Sequence, residues 1–366
     1  MFFSIEPFDT LFFRDARPFT MGVESWALQV FPPYPSTIFG AVRTWLIELF
    51  GGLDAFKRGE MQEWLGTVDS PGNLRILGPL IIQDTAYGSY VYFPAPKDVL
   101  KTSDKTFKLG LLKNNPIALS NSVTDCLPIN NKEENAEEVE GFLELSGIYG
   151  YLNGEDVSPR RFKQFNEIYI TETKTGIKRD PKTKASEEGF LYRIPMIRLK
   201  EGYKLLIGIG GIEKETPDHG FLKLGGESKF ATIRKLTDFH ELDDIQRFEL
   251  DAKDKVFKIY LATPAIFSKG WIPEWIDDIS LTGTYNGIEL KLLGAVIGKF
   301  RTIGGWDIAK KQPKEMYRVV PEGSVYYFEV INDVDVQRIV DTFHFKNISD
   351  KYKEQGWGLS FVGRVT

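Results

Sequence analysis

Apolar residues fall at Ile38, Val42, Trp45, Leu46, Leu49 and Phe50, the spacing of one helical face, and Gly51-Gly52 ends the run. Pro32, Pro33 and Pro35 stand before it, stiffening the approach and pushing each preceding residue away from helical geometry. The pattern predicts a helix over residues 36–50 with Ser36 or Thr37 as its N-cap. Upstream, residues 2–13 read as a strand broken at Pro7. Downstream, residues 74–83 and 90–93 read as strands, the first interrupted by Gly78-Pro79. The continuous apolar run Tyr203–Gly210 reads as a buried strand.

Residues 168–199 have a different rhythm. Alternation at Ile168-Tyr169-Ile170 gives way to a polar stretch from Thr173 to Thr183, and Phe190-Leu191-Tyr192-Arg193-Ile194 brings the apolar pattern back. This predicts a long β-hairpin projecting from the body, turning near Asp180-Pro181. Near residue 251 the pattern restarts. Val256–Leu261 and residues 290–300, 324–330 and 357–365 are strand candidates, with a short helix over 333–343. Strands mixed with one or two helices thus occur twice. That fits an α+β chain of two ferredoxin-like (RRM-like) domains in tandem, residues 1–250 and 251–366, with a projecting β-hairpin and glycine-rich loops. The first domain would carry two insertions, an acidic one at 131–140 and the hairpin at 168–199.

At 366 residues the chain is long enough for two cores. No apolar run approaches the roughly 18 residues of a membrane span. The start, Met1-Phe2-Phe3-Ser4-Ile5-Glu6, lacks the basic region and cleavage site of a secretory signal. Cys126 is the only cysteine, which excludes an internal disulfide and a cysteine-based zinc site. A cytoplasmic protein is expected.

The net charge of −5 counts against a simple nucleic-acid binder, which is usually basic. The charge is uneven, however. Residues 174–200 hold eight Lys/Arg against three Asp/Glu, and residues 297–318 hold six against two. The opposite bias marks residues 132–140, with one against five, and 237–254, with two against seven. Basic patches of this kind bind phosphate while acidic segments face solvent or protein, and they also fit ordinary solvated loops.

Candidate chemistry gathers where basic groups meet free backbone. Arg14 and Arg17 end the first strand in Phe13-Arg14-Asp15-Ala16-Arg17-Pro18-Phe19. The N–H groups at the start of the predicted helix attract anions, and Arg43 leans toward them because helical side chains tilt to the N-terminus. The same residues fit a plainer role, in which Ser36 only caps and Arg43 pairs with a carboxylate. Three glycine pairs or near-pairs carry a basic residue each. These are Gly225-Gly226 with Lys229, Gly304-Gly305-Trp306 with Arg301, and Gly356-Trp357-Gly358 with Arg364. Glycines let backbone approach a ligand, and a tryptophan stacks on a base. Asp15, Glu227 and Asp307 read as partners that orient Arg and Lys. Gly208-Ile209-Gly210-Gly211-Ile212-Glu213 fails as a dinucleotide loop, since the third glycine would fall at Glu213. Of the histidines at 219, 240 and 344, His219 beside the Leu224–Glu227 loop is the best candidate general base, and it equally suits a solvated loop.

The Phe13–Phe19 block, Pro35-Ser36-Thr37-Ile38-Phe39-Gly40-Ala41-Val42-Arg43-Thr44, Leu224-Gly225-Gly226-Glu227, Gly304-Gly305-Trp306-Asp307 and the glycine-rich C-terminus together resemble one family across nearly the whole chain. It is the third subunit of the Cmr effector complex of type III-B CRISPR systems, within the RAMP superfamily. The resemblance implies two ferredoxin-like domains and a non-catalytic subunit. It also implies binding of the CRISPR RNA 5′ handle and docking of the large Cas10-type subunit and the first RAMP backbone subunit. No cofactor or metal is implied. The 168–199 hairpin looks like the thumb such subunits insert beside the guide. The RNA contacts expected first are Arg14, Arg17, Ser36, Thr37, Arg43, Lys178, Arg179 and Arg193. Behind them stand Gly225, Gly226, Lys229, Arg301, Gly304, Gly305, Trp306 and Arg364. The rival readings are a metal-independent endoribonuclease using His219 and a purely structural adaptor.

Overall fold

The structure, a computed structural model, describes residues 1–14, 29–102, 105–113, 126–129, 135–179, 182–183, 186–251, 254–307 and 310–365. The chain is a strand-rich α+β protein built from antiparallel pairs. It divides into two compact units, each gathered from three stretches of sequence. One holds Met1–Pro79, Asn166–Thr237 and Thr302–Tyr317, and the other Leu80–Phe165, Asp238–Arg301 and Arg318–Thr366. Among the described residues no helix is long and apolar enough to cross a membrane.

In the first unit, strand Phe2–Pro7 lies between Tyr203–Gly210 and Phe230–Lys235, antiparallel to both. The start of Arg75–Thr85 flanks Tyr203–Gly210, and His219–Lys223 forms the outer edge beside Phe230–Lys235. Leaving that edge strand aside, the chain-order ranks across the sheet run fourth, first, third, second. Phe3 and Ile5 point to one face with their register partners Ile207, Leu205 and Ile233, all buried. Helix Pro35–Leu49 closes that face with Ile38, Val42, Trp45 and Leu46, and Trp45 meets Phe3 edge-on at 6.3 Å. The edge strand approaches so closely that a Cβ on Gly220 would lie 2.6 Å from Trp45 Nε1.

The expected cap at Ser36 or Thr37 is not formed. The helix starts at Pro35 with Tyr34 as N-cap and no side-chain cap bond, and the Thr37 N–H donates to the Tyr34 carbonyl at 2.9 Å. Proline suits the first helical turn, where its missing N–H costs nothing, and it draws the start ahead of both hydroxyls. The expected first strand ends at Pro7, and its continuation leaves the sheet to pair elsewhere.

In the second unit, Val256–Leu261 lies between Val325–Val330 and Leu359–Arg364, and Ile288–Val296 flanks Val325–Val330. All pairs are antiparallel, and the four strands again run fourth, first, third, second. Helix Val336–Phe343 connects the third to the fourth. Asp335 caps it, its carboxylate accepting from the Gln337 N–H at 3.0 Å. The core is aromatic, with Tyr260, Phe257, Phe328, Phe343, Phe361 and Trp357 fully buried. Helix Leu145–Leu152 was not foreseen. Part of the acidic segment lies outside the described residues, and its Glu137–Glu138 pairs with Val99–Lys101.

Candidate nucleic-acid interface

Beyond Pro7 the chain crosses to the hairpin. Leu11 and Ile197 exchange backbone hydrogen bonds at 2.7 and 2.8 Å, and the buried side chains of Phe12, Ile194 and Met196 pack together. The hairpin is Tyr169–Arg179 against Ser186–Leu199, in register from Tyr169 opposite Leu199 to Ile177 opposite Leu191, with a bulge before Arg179 opposite Ser186. Arg14 bridges Gln29, Val30 donates to the Phe13 carbonyl at 2.9 Å, and the Gln29 amide donates to Thr171 Oγ1 at 2.9 Å. The end of the N-terminal segment and the hairpin base are therefore one construction. Arg14 and Arg193 are both exposed on it. Lys178 and Arg179 end the first hairpin strand, and Arg17 lies outside the described residues.

The glycine loop backs onto the same construction. Gly225 has φ +75°, and a Cβ there would lie 2.6 Å from the Phe12 carbonyl. The Gly226 N–H donates to that carbonyl at 2.9 Å. These glycines serve close approach of the chain to itself, a need indistinguishable in sequence from approach to a ligand. The adjoining charges form a network. Lys229 Nζ and the Arg198 guanidinium each donate to the Asp9 carboxylate at 2.9 Å, Arg198 also binds Glu172, and Lys174 pairs with Glu227 at 2.7 Å. The hydrogen bond from Lys229, the Thr10 backbone N–H and Arg198 hold the Asp9 carboxyl down to about 2. Glu172 is lowered by the bond from Arg198, and Arg198 is raised chiefly by Glu172. Such exposed pairs add little stability, and they fix the geometry of the hairpin base against the glycine loop. Glu227 does orient a lysine, as its position suggested. Arg198, Lys174 and Asp9 were not singled out in the sequence. The first two were counted only as part of the local positive charge.

Arg43 does not turn to the helix start. Its guanidinium donates to the carbonyls of Leu65, Thr67 and Ser70 and lies 5.2 Å from the Phe56 ring centre. The turn at Gly66 presents three acceptors to one planar fork, which wins over a forward lean along the helix.

Gly304-Gly305-Trp306 lies in the same unit. Trp306 pairs with Pro313 in a small hairpin, and its side chain is 58% exposed. Arg301 and Arg364 belong to the other unit. Arg301 pairs with Glu322, and both line a cleft of about 230 Å³ with Lys97, Lys299, Phe142 and Phe165. Arg364 lies 3.3 Å from Asp251 and donates to the Glu249 carbonyl at 3.2 Å, tying down the acidic 237–254 segment. His219 is exposed on the edge strand opposite Arg234. Among the described residues no group of three His, Cys, Asp or Glu could hold a metal ion.

A family profile described as Cas_Cmr3, CRISPR-associated protein, matches residues 3–365. No curated protein sequence matches the chain. Among solved structures, a chain of the type III-B Cmr-beta complex bound to cognate target RNA is 16% identical, with a TM-score of 0.50 over 98% of this chain and 95% of that one. A second structure of that complex, bound to target RNA and AMPPnP, gives 18% identity and a TM-score of 0.49 over 93% and 88%.

Proposed function

The chain belongs to the Cmr3 family of CRISPR-associated proteins, and from that membership we propose that it is a non-catalytic subunit of a type III-B effector complex. It grips the 5′ handle of the CRISPR RNA and docks the large Cas10-type subunit and the first RAMP backbone subunit. Both units are ferredoxin-like in this reading, in keeping with the strand order they share.

The observation that carries the RNA assignment is the exchange of hydrogen bonds between Leu11 and Ile197. It places exposed Arg14 on the same construction as a hairpin that carries Arg193, Lys178 and Arg179. A protruding ladder with cations along it tracks a phosphate backbone, and the acidic segments are left for protein partners. Arg43 and Arg364 fit better as internal ties. Lys229 acts through Asp9 in holding the glycine loop.

Ultraviolet crosslinking in the assembled complex, recovered on this chain, tests the reading. Crosslinks from the 5′ handle to residues 11–14, 29–31 or 169–199 are expected. Recovery of the partner subunits without RNA crosslinks to this chain would favour the adaptor. Cleavage of RNA by the purified chain that disappears in His219→Ala would favour the endoribonuclease.

A further inference from the structure

One face of the first unit's sheet is closed by helix Pro35–Leu49. The other face, at its outer edge, is open and carries three phenylalanines. Phe221 on the edge strand lies opposite Thr232, itself opposite Glu6. Phe230 and Phe8 stand two residues further along their segments, so all three point away from the helix. They are 64%, 53% and 62% exposed, and Phe8 stacks on Phe221 with ring centres 5.8 Å apart and planes 28° from parallel. Their neighbours in the alternation, Gly220 and Leu222, point the opposite way, toward Trp45 and the core.

The charge on this face is positive. Lys223 lies opposite Phe230, and Arg234 follows Thr232 by two residues. Both are exposed, and neither has an ion-pair partner among the described residues. The nearby carboxylates are already neutralised, Glu6 by Lys204 at 3.1 Å and Asp9 by Lys229 and Arg198.

We propose that the Phe8–Phe221–Phe230 face is a stacking platform for unpaired bases of a single-stranded RNA whose phosphates run past Lys223 and Arg234. Open aromatic rings stack on bases of any identity, and exposed cations beside them bind the backbone. A protein interface would also use phenylalanine, but its centre is poor in charge, whereas here two unpaired cations sit among the rings. The platform rests on the reading of the chain as an RNA-holding subunit. It adds a surface reached from the glycine loop through Lys229-Phe230.

The test is fluorescence anisotropy with the full chain at low salt, using labelled oligoadenylate and a ribose-phosphate strand of equal length lacking bases. Phe8→Ala and Phe221→Ala are expected to weaken oligoadenylate roughly tenfold each and leave the abasic strand unaffected. Phe221→Leu, which keeps apolar bulk without a ring face, should lose affinity as Phe221→Ala does, and Phe221→Trp should retain it. Lys223→Ala should weaken both strands alike. Unchanged oligoadenylate binding by the Phe8→Ala/Phe221→Ala double variant overturns the platform, and lost capture of the Cas10-type subunit by that variant would give the face to protein. If Arg14→Ala and Arg193→Ala abolish binding while the phenylalanine variants do not, the handle reading stands and the platform falls. If the parent chain binds neither strand, both fall.

Discussion

Leu11 and Ile197 are joined by two backbone hydrogen bonds, 2.7 and 2.8 Å long, across 186 positions of sequence. This link anchors the hairpin to the segment that ends in Arg14. Ile194 and Met196 are buried with Phe12 in one cluster beside it. Met196→Ala should destabilise the first unit by about 2–4 kcal/mol through the cavity it leaves. Hydrogen exchange at the Leu11 and Ile197 amides should accelerate first. Unchanged protection there would mean that the hairpin is anchored elsewhere.

Arg43→Ala should act on stability and spare RNA binding. It removes the charged donor from the carbonyls of Leu65, Thr67 and Ser70 at once, and among the described residues only Ser70 keeps another, the Thr67 N–H. A loss of about 2 kcal/mol in denaturant unfolding is expected, since bonds to a charged donor are among the stronger ones. Reduced RNA affinity with unchanged stability would return Arg43 to the list of phosphate contacts.

Lys258 is 2% exposed. Its ammonium lies 3.8 Å from Asp98 and 3.3 Å from the centre of the Tyr151 ring, while Tyr151 and Tyr327 each donate to Asp98 at 2.7 Å. Burial outweighs the attraction of Asp98 and brings the lysine down to about 8. The unfolded chain therefore holds a proton that the folded one releases between about pH 8 and 10.5, and stability should rise with pH across that window. Lys258→Met should destabilise at pH 7, since it leaves the buried Asp98 carboxylate without its counter-charge, but by less than Asp98→Asn, because Tyr151 and Tyr327 still donate to it. Asp98→Asn should cost about 3 kcal/mol or more, because it leaves the cation buried without its counter-charge. Thermal melts of the two variants side by side decide this, and equal losses would refute it.

His344 makes a second pH dependence, of opposite location. The Val362 N–H donates to Nδ1 at 3.0 Å, so Nδ1 is an acceptor and Nε2–H donates to the Ile245 carbonyl at 2.6 Å. Burial lowers the imidazole to about 4. Below pH 6.5 the unfolded state takes up a proton that the native state refuses, so stability is lost as pH falls from 6.5 toward 4, by about 3 kcal/mol in all. His344→Gln should flatten that part of the melting-temperature profile. A profile unchanged by the substitution would assign the loss to carboxylates.

The sequence was most legible where periodicity is dictated by burial. Tyr203–Gly210 and Val256–Leu261 are strands with the predicted bounds, because both faces of each are largely covered and every position except Lys204 and Lys258 is apolar. The hairpin was legible because its alternation resumes after a polar turn. The edge strand His219–Lys223 was not, since only Leu222 is buried in it and its exposed face carries Phe221 without a pattern around it. Among the candidate residues, Arg14 was read from a strand-end motif and the hairpin from its alternation and local charge, while the Leu11–Ile197 bonds that join them are backbone contacts that residue identity does not reveal. The ties made by Arg43 and Arg364 were not visible in the sequence, because the Leu65, Thr67, Ser70 and Glu249 carbonyls are backbone atoms that residue identity does not reveal and Asp251 meets Arg364 only through the fold. The phenylalanine platform escaped notice because its members are separated in sequence and are joined only by strand register.

Strand Phe2–Pro7 pairs with Tyr203–Gly210 and Phe230–Lys235, which follow it by about two hundred residues. At roughly 5–20 residues per second on the ribosome, it leaves the exit tunnel some 10–40 s before either neighbour is made. During that interval both of its edges are unpaired and Phe3 and Ile5 lie open, a combination that invites intermolecular pairing. Synthesis of this chain is therefore expected to lean on holding chaperones, and slowing translation after residue 79 should lower soluble yield rather than raise it.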